Sequence, residues 1–215
     1  MYNFSIKGWR KNKFPQLLPF FDQKGFEILI HAFIYSKIDY CNALYTGITD
    51  YNLHLLQLIQ NYAAKLVLNK RKFDHAKPLL RKLHWLPIKA RIQYKALLIC
   101  YKARNFLAPE YIQLLFTPYH RPSHLRNLAP NSLSVPNFEL SSMGGRAFSV
   151  YTADLWNKLP SKIQTAQSVP VFKKLLKTHL FTLPSTWTYW LYFKRFEMFI
   201  HERRYIKPIY YYYLQ

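Results

Sequence analysis

With 215 residues, half of them hydrophobic and 18% aromatic, the chain is long enough for one sizeable domain or two small ones and too apolar to be compositionally disordered. Lysine and arginine number 31 against 10 acids, a net charge of +21 that a globular domain without a polyanionic partner rarely carries. Two distant cysteines, Cys41 and Cys100, with no Cys-x-x-Cys pair, exclude a zinc ribbon or knuckle and give no support to a disulfide.

Only five glycines are present, while leucine, isoleucine, lysine and tyrosine abound, a balance that favours helices over tight hairpins. Residues 1–21 read as a basic, irregular lead. It has no apolar core of the kind a secretory signal needs. Asp22 is a candidate N-cap for a helix from Gln23 to about Ile38, with Phe26, Leu29, Ile30, Phe33 and Ile34 at helical spacing. A short polar-aromatic continuation from Asp39 closes at Gly47. The second predicted helix runs from about Tyr51 to Leu68. Leu55, Leu56, Ile59, Tyr62, Ala63 and Leu66 cover one arc, and His54, Gln57, Asn61 and Lys65 the other, which makes the second arc the expected solvent face. It ends in the cluster Lys70-Arg71-Lys72.

A short helix is expected over Pro78 to Leu83. Pro87 suits the first turn of a third long helix reaching about Asn105, with Ile88, Ile92, Ala96, Ile99 and Ala103 as its stripe. Leu97, Leu98, Tyr94 and Tyr101 make the rest of that helix apolar as well, so it should be central. Pro109 opens a further short helix through Phe116. Residues 117–145 are rich in proline and serine and read as a loop, with extended pieces near Leu133 to Val135 and Phe138 to Leu140. A helix from about Arg146 to Leu159 is stopped by Pro160. Ser168 is a candidate cap for a last helix over Val169 to Phe181, with Pro170 in its first turn and Val171, Phe172, Leu175, Leu176 and Leu180 for the core. The fold class expected is mainly α, a bundle of about five helices with an irregular Pro/Ser-rich middle. The organisation is a helical region over 22–116, the loop over 117–145, a C-terminal helical region over 146–183 and an aromatic basic tail over 184–215. There is no stretch of apolar sequence long enough for a confident membrane span.

Five segments stand in an order that resembles one family: HAFIYSKIDYCNALYTG (31–47), LQLIQNYAAKLVLNKRKFDHAKPLLRKLHWLPIKARIQYKALLICYKA (56–103), LAPEYIQLL (107–115), RAFSVYTADLWNKLP (146–160) and SVPVFKKLLKTHL (168–180). Together they look like the C-terminal end of LINE-type non-LTR retrotransposon reverse transcriptases, of the jockey and chicken-repeat kind. The resemblance spans roughly residues 17 to 181. It implies a thumb, which grips the primer–template duplex along its backbone, and the helical region that follows it. Polymerisation in that family needs a Tyr/Phe-x-Asp-Asp turn and an upstream Asp to hold two metal ions, yet no two acids are adjacent anywhere in this chain. Fingers, palm and endonuclease would lie upstream. The expectation is therefore a non-catalytic unit, not an enzyme as it stands, with no cofactor and no metal.

The resemblance and the charge make RNA or DNA the first candidate partner, bound electrostatically and without sequence preference; a reverse transcriptase palm is the protein partner implied, and an anionic membrane ranks below both. On the third helix Arg91, Lys95 and Lys102 fall within about 40° of one another, a row that suits a phosphate backbone or, equally, a solvated face. Lys70, Arg71 and Lys72 are a second backbone-binding candidate, although cations at a helix end also answer the helix dipole. Asp74-His75 and His84-Trp85 fit no compact ligand pattern and read as a helix cap and a packed His–Trp pair. Cys41 has no base beside it and reads as a buried structural thiol; Trp85 and Trp156 read as core anchors. The tail has no counterpart in the resemblance. Its Tyr210–Tyr213 run suits translated AT-rich flanking DNA, and Trp187, Trp190, Tyr192 and Phe193 beside Lys194, Arg195, Arg203 and Arg204 suit an interfacial anchor. The alternatives to nucleic-acid binding are thus a relic without function and a peripheral membrane or protein-interaction module. An intracellular location, nuclear or cytoplasmic, is expected.

Overall fold

The computed structural model of the chain describes residues 21–71, 73–119, 131–139 and 144–183. The basic lead before residue 21, Lys72, the extended piece at Leu140 and the whole tail from 184 onward lie outside the described residues. Within them the protein is mainly helical, with no strand, as the composition leads one to expect.

Helix α1 comprises Gln23–Ile30, a π turn over His31–Tyr35 and a final turn Ser36–Ile38. Asp22 caps it as expected, its Oδ1 accepting from the Gly25 amide at 2.8 Å. The π turn decides which side chains face inward. Ser36 N–H donates to the His31 carbonyl, five residues back, and the Ser36 hydroxyl to the Ala32 carbonyl. The widened turn absorbs the drift of a 3.6-residue helix, so Phe26, Ile30, Ile34 and Ile38, four apart each time, all reach the core. Tyr35 turns inward with them, while Phe33, expected inside, is exposed.

After a 3-10 turn at Asn42–Tyr45, Gly47 lets the chain reverse at φ +74. A Cβ at Gly47 would also lie 2.5 Å from Cγ and 2.7 Å from Cβ of Arg146. Left-handed strain and a clash with the root of that side chain then add together, so Gly47→Ala is expected to destabilise by about 2 kcal/mol. A urea titration measures this, and an unchanged midpoint would show that Gly47 carries no such constraint.

Helix α2 is Asp50–Val67, α3 is Ala76–Lys82 and α4 is Ile88–Arg104. The face of α2 differs from the sequence expectation. His54, Gln57 and Asn61 are buried, with Gln60 beside them, and Leu55, Leu56, Ile59, Tyr62 and Leu66 are only half-buried. The polar face is inside because its amides find partners there. Gln60 Nε2 donates to the Tyr35 hydroxyl and to the Leu86 carbonyl, both at 2.8 Å. Gln57 Nε2 donates to Gln60 Oε1 and Asn61 Oδ1 at 2.9 Å, and its Oε1 accepts from the Ile88 amide at 3.0 Å. That last bond serves a first-turn amide of α4, where Pro87 at the N-cap has no side-chain acceptor to offer. The aliphatic arc of α2 is half-covered as well, with Leu56, Ile59 and Leu66 packed against the core, so the helix is wrapped on both sides.

Helix α4 is central, as its all-round apolarity implies. None of Trp85 to Arg104 is exposed. Ile88 and Ile92 pack into a core built by α1, α2 and α3, whereas Ala90, Leu97, Cys100 and Tyr101 pack into a second core. That second core is closed by α6 (Phe148–Asn157), the single turn α7 (Ser161–Gln164) and α8 (Val169–Thr182); the short α5 (Glu110–Gln113) follows α4 directly. Both helical regions therefore share one helix. Trp85 and Trp156 anchor the two cores. Of the residues expected inside α8, Phe172, Leu176 and Leu180 are buried, Leu175 is half-buried and Val171 is exposed. Ser168 occupies the N-cap position of α8 without a side-chain bond to it.

Where the first extended piece was expected, the described residues hold one antiparallel bridge, Pro118 to Leu133. Asn157 holds it like a surrogate strand. Its Oδ1 accepts from the Leu133 amide at 2.8 Å and its Nδ2 donates to the Leu133 carbonyl at 2.9 Å. Three helices end on a non-glycine residue in the left-handed region: Asn69, His84 and Phe106. Behind each, the next amide reaches five residues back, as in Lys70 to Lys65, Trp85 to Leu80 and Leu107 to Lys102. A glycine-poor chain thus closes its helices with the same backbone bonds that glycine usually permits.

Candidate functional site

Asp39, at the end of α1, carries the most connected carboxylate of the described residues. Arg91 Nε donates to its Oδ1 at 3.0 Å and Arg91 Nη2 to its Oδ2, a two-pronged pair, and Asn42 Nδ2 donates to Oδ1 at 3.2 Å. The Arg91 guanidinium also lies 4.3 Å over the Tyr35 ring. Tyr35 is stacked on His31 at 4.8 Å and meets Trp85 edge-on at 4.8 Å, and burial pushes its phenol well above the ordinary value. Arg91 is therefore clamped from two sides, by charge and by ring.

Above this pair opens a cleft of about 270 Å³. It is lined by Arg91, Tyr94 and Lys95 of α4, by Lys177 of α8, and by Asp39 and His84. His84 reaches it because its backbone is left-handed at the end of α3. The chain that carries His84 into α4 is tied down by the bond from Gln60 to the Leu86 carbonyl, and Leu86 also lines the cleft. Lys95 has no ion-pair or hydrogen-bond partner among the described residues. Lys177 has only the Phe181 ring, with its Nζ 6.0 Å from the centroid. Asp39 is neutralised by Arg91, so the two ammonium groups stand as uncompensated charge. Burial raises the pKa of the Tyr94 phenol, which keeps it a hydrogen-bond donor at neutral pH.

Of the residues singled out in the sequence, Arg91 and Lys95 are brought together here, and Arg91 is engaged with Asp39. Lys102 is half-buried farther along α4 and does not line the cleft. Lys70 and Arg71 are exposed beyond α2, away from it; Lys72 lies outside the described residues. Sequence reasoning missed Lys177 and gave His84 a packing role, and no local pattern marks either one as lining a cleft. Of Asp74-His75, His75 occupies the N-cap position of α3 without a side-chain cap bond, while Asp74 accepts from the Arg71 amide at 2.8 Å and holds the turn after α2. His84 and Trp85 are not a packed pair either. The imidazole edge on Trp85 belongs to His31, at 5.5 Å, while His84 faces Phe181 at 6.5 Å.

Cys41 is exposed, contrary to the expectation of a buried thiol, because its left-handed backbone (φ 48) turns it out of the core. Cys100 is the buried thiol, and burial pushes it up to about 12. The described residues contain no group of three histidine, cysteine or acidic side chains able to hold a metal ion. No helix of the described residues is long and apolar enough to cross a membrane. Comparison with family models, with curated proteins and with solved structures finds no match to this chain.

Proposed function

We propose that this chain binds the phosphate backbone of RNA or DNA, without sequence preference and without catalysing polymerisation, as a thumb-like unit similar to the C-terminal end of a LINE reverse transcriptase. The observation that carries the reading is the +21 charge, joined to a cleft in which Lys95 and Lys177 have no acidic partner. The ordered resemblance of five segments supports it. The absence of any adjacent acid pair supports the non-catalytic half, because two metal ions need clustered carboxylates. The alternative is a relic without function, and whether the locus is intact, transcribed and translated into peptide separates the two.

Anisotropy with a labelled strand across a salt series tests the binding. Log affinity should fall linearly with log salt, equally for unrelated sequences, and changing Lys95 and Lys102 to Gln should make the slope shallower by up to about 2 units. Arg91 is left in place because it holds Asp39. A flat salt dependence, or affinity for one sequence only, would overturn the proposal. Primer extension on a homopolymer template with magnesium or manganese should incorporate nothing above a buffer control; incorporation would sink the non-catalytic half.

One observation favours a protein partner as the second reading. Phe106, Leu107, Tyr111 and Leu114, around α5, are large, apolar and exposed. A surface of that kind commonly marks an interface, and a polymerase palm is the partner the resemblance implies.

A further inference from the structure

We infer that the cleft between α4 and α8 takes the terminal phosphate of a nucleic-acid strand, a phosphomonoester, in preference to the diesters within it; this rests on the backbone-binding reading above. The charge in the cleft is the first argument. Arg91 is matched by Asp39, and Lys95 and Lys177 remain, one from α4 and one from α8. Two unmatched ammonium groups complement a dianion, and a phosphomonoester carries between one and a half and two negative charges at pH 7, roughly twice a diester's single charge. The second argument is size. About 270 Å³ suits a phosphoryl group with part of its sugar and excludes a duplex. The third is the donor set. Ammonium groups from two helices supply point charges, while the Tyr94 phenol and the His84 ring line the same space as hydrogen-bonding groups. A diester inside a strand presents two non-bridging oxygens and must carry chain out in both directions. A strand end presents three oxygens and leaves in one direction only, which a cleft of this volume can accept.

The test compares one oligonucleotide sequence with a 5′-phosphate, with a 3′-phosphate and with hydroxyl groups at both ends, by anisotropy with the full chain. A phosphorylated end should improve affinity by about tenfold, the scale of one added charge contact in a half-buried site. Lys95→Gln with Lys177→Gln should bring the ratio between phosphorylated and unphosphorylated strands to about one, however far overall affinity falls, and Lys95→Arg with Lys177→Arg should restore it. A 5′-mononucleotide added as competitor should erase the preference at lower concentration than inorganic phosphate; equal potency of the two would show a free-phosphate site and overturn the strand-end assignment. No preference in the unaltered chain, with all three strands bound and a steep salt slope, overturns this inference and leaves backbone binding standing. A preference that survives the Gln pair places the end elsewhere and overturns it too. Failure of every strand to bind overturns backbone binding along with it.

Discussion

Trp156→Ala should destabilise the protein by about 4 kcal/mol, the range in which truncation of a fully buried large aromatic falls. Trp156 is 1% exposed and sits where four parts of the second core meet. Its ring lies nearly parallel to Phe172 at 6.1 Å, and Phe172 in turn stacks on Tyr101 at 4.1 Å, so the three rings join α6, α8 and α4 in one pile. The indole N–H donates to the Asn131 carbonyl at 3.0 Å, and the Arg104 guanidinium, 5.2 Å above the ring, donates to the same oxygen. Alanine leaves a cavity under α8 and removes the surface on which Arg104 lies. For a domain of this size each kcal/mol moves the melting temperature by about 2–4 °C, so a fall on the order of 10 °C is expected. Trp156→Phe keeps most of the ring pile and loses the N–H bond, at a cost of about 1–2 kcal/mol. If alanine costs less than about 1 kcal/mol, the second core is not organised around this side chain.

Gln60→Leu should cost about 3 kcal/mol although it adds hydrophobicity at a position that is fully buried. Leucine nearly matches the volume, so packing changes little and the loss is almost all polar. It leaves the Leu86 carbonyl without the amide that now reaches it and removes the donor to the Tyr35 hydroxyl. Gln57 retains Asn61 as acceptor, so the network is broken at one end only. Gln60→Glu is the informative companion: it keeps the shape and replaces the donating amide with a buried carboxylate facing a carbonyl oxygen, which should cost more than leucine does. Equilibrium urea unfolding of both variants measures this. A stabilised leucine variant would show that the amides are spectators. Because the Leu86 carbonyl belongs to the link that carries His84, the leucine variant should also lose part of its preference for a phosphorylated strand end, a readout that general loss of stability alone does not move.

The amino-acid sequence by itself determined the helical class and the places where most helices start and stop. Asp22 at a cap, proline at positions 87, 109 and 170, and apolar residues recurring on one side are local signals, and local backbone physics acts on them wherever the chain goes. The centrality of α4 was legible for the same reason, since a helix apolar on nearly every side has to be covered on nearly every side. The inward face of α2 was not legible. Periodicity counts glutamine as polar and assigns it to water, yet Gln57 and Gln60 bond to Tyr35, Leu86 and Ile88, 25 to 31 residues away in the chain. An amide becomes an interior group only once such partners are in place, and tertiary packing alone supplies them. The π turn that sends Phe33 out and Tyr35 in has no spacing signature of its own. In the cleft, Arg91 and Lys95 were visible as a row on one helix, a local property. That Arg91 belongs to Asp39, 52 residues before it, and that Lys177 lines the same cleft as Lys95 from another helix, are decided by how α1, α4 and α8 pack, because charge has no periodicity that reports which distant charge it will meet.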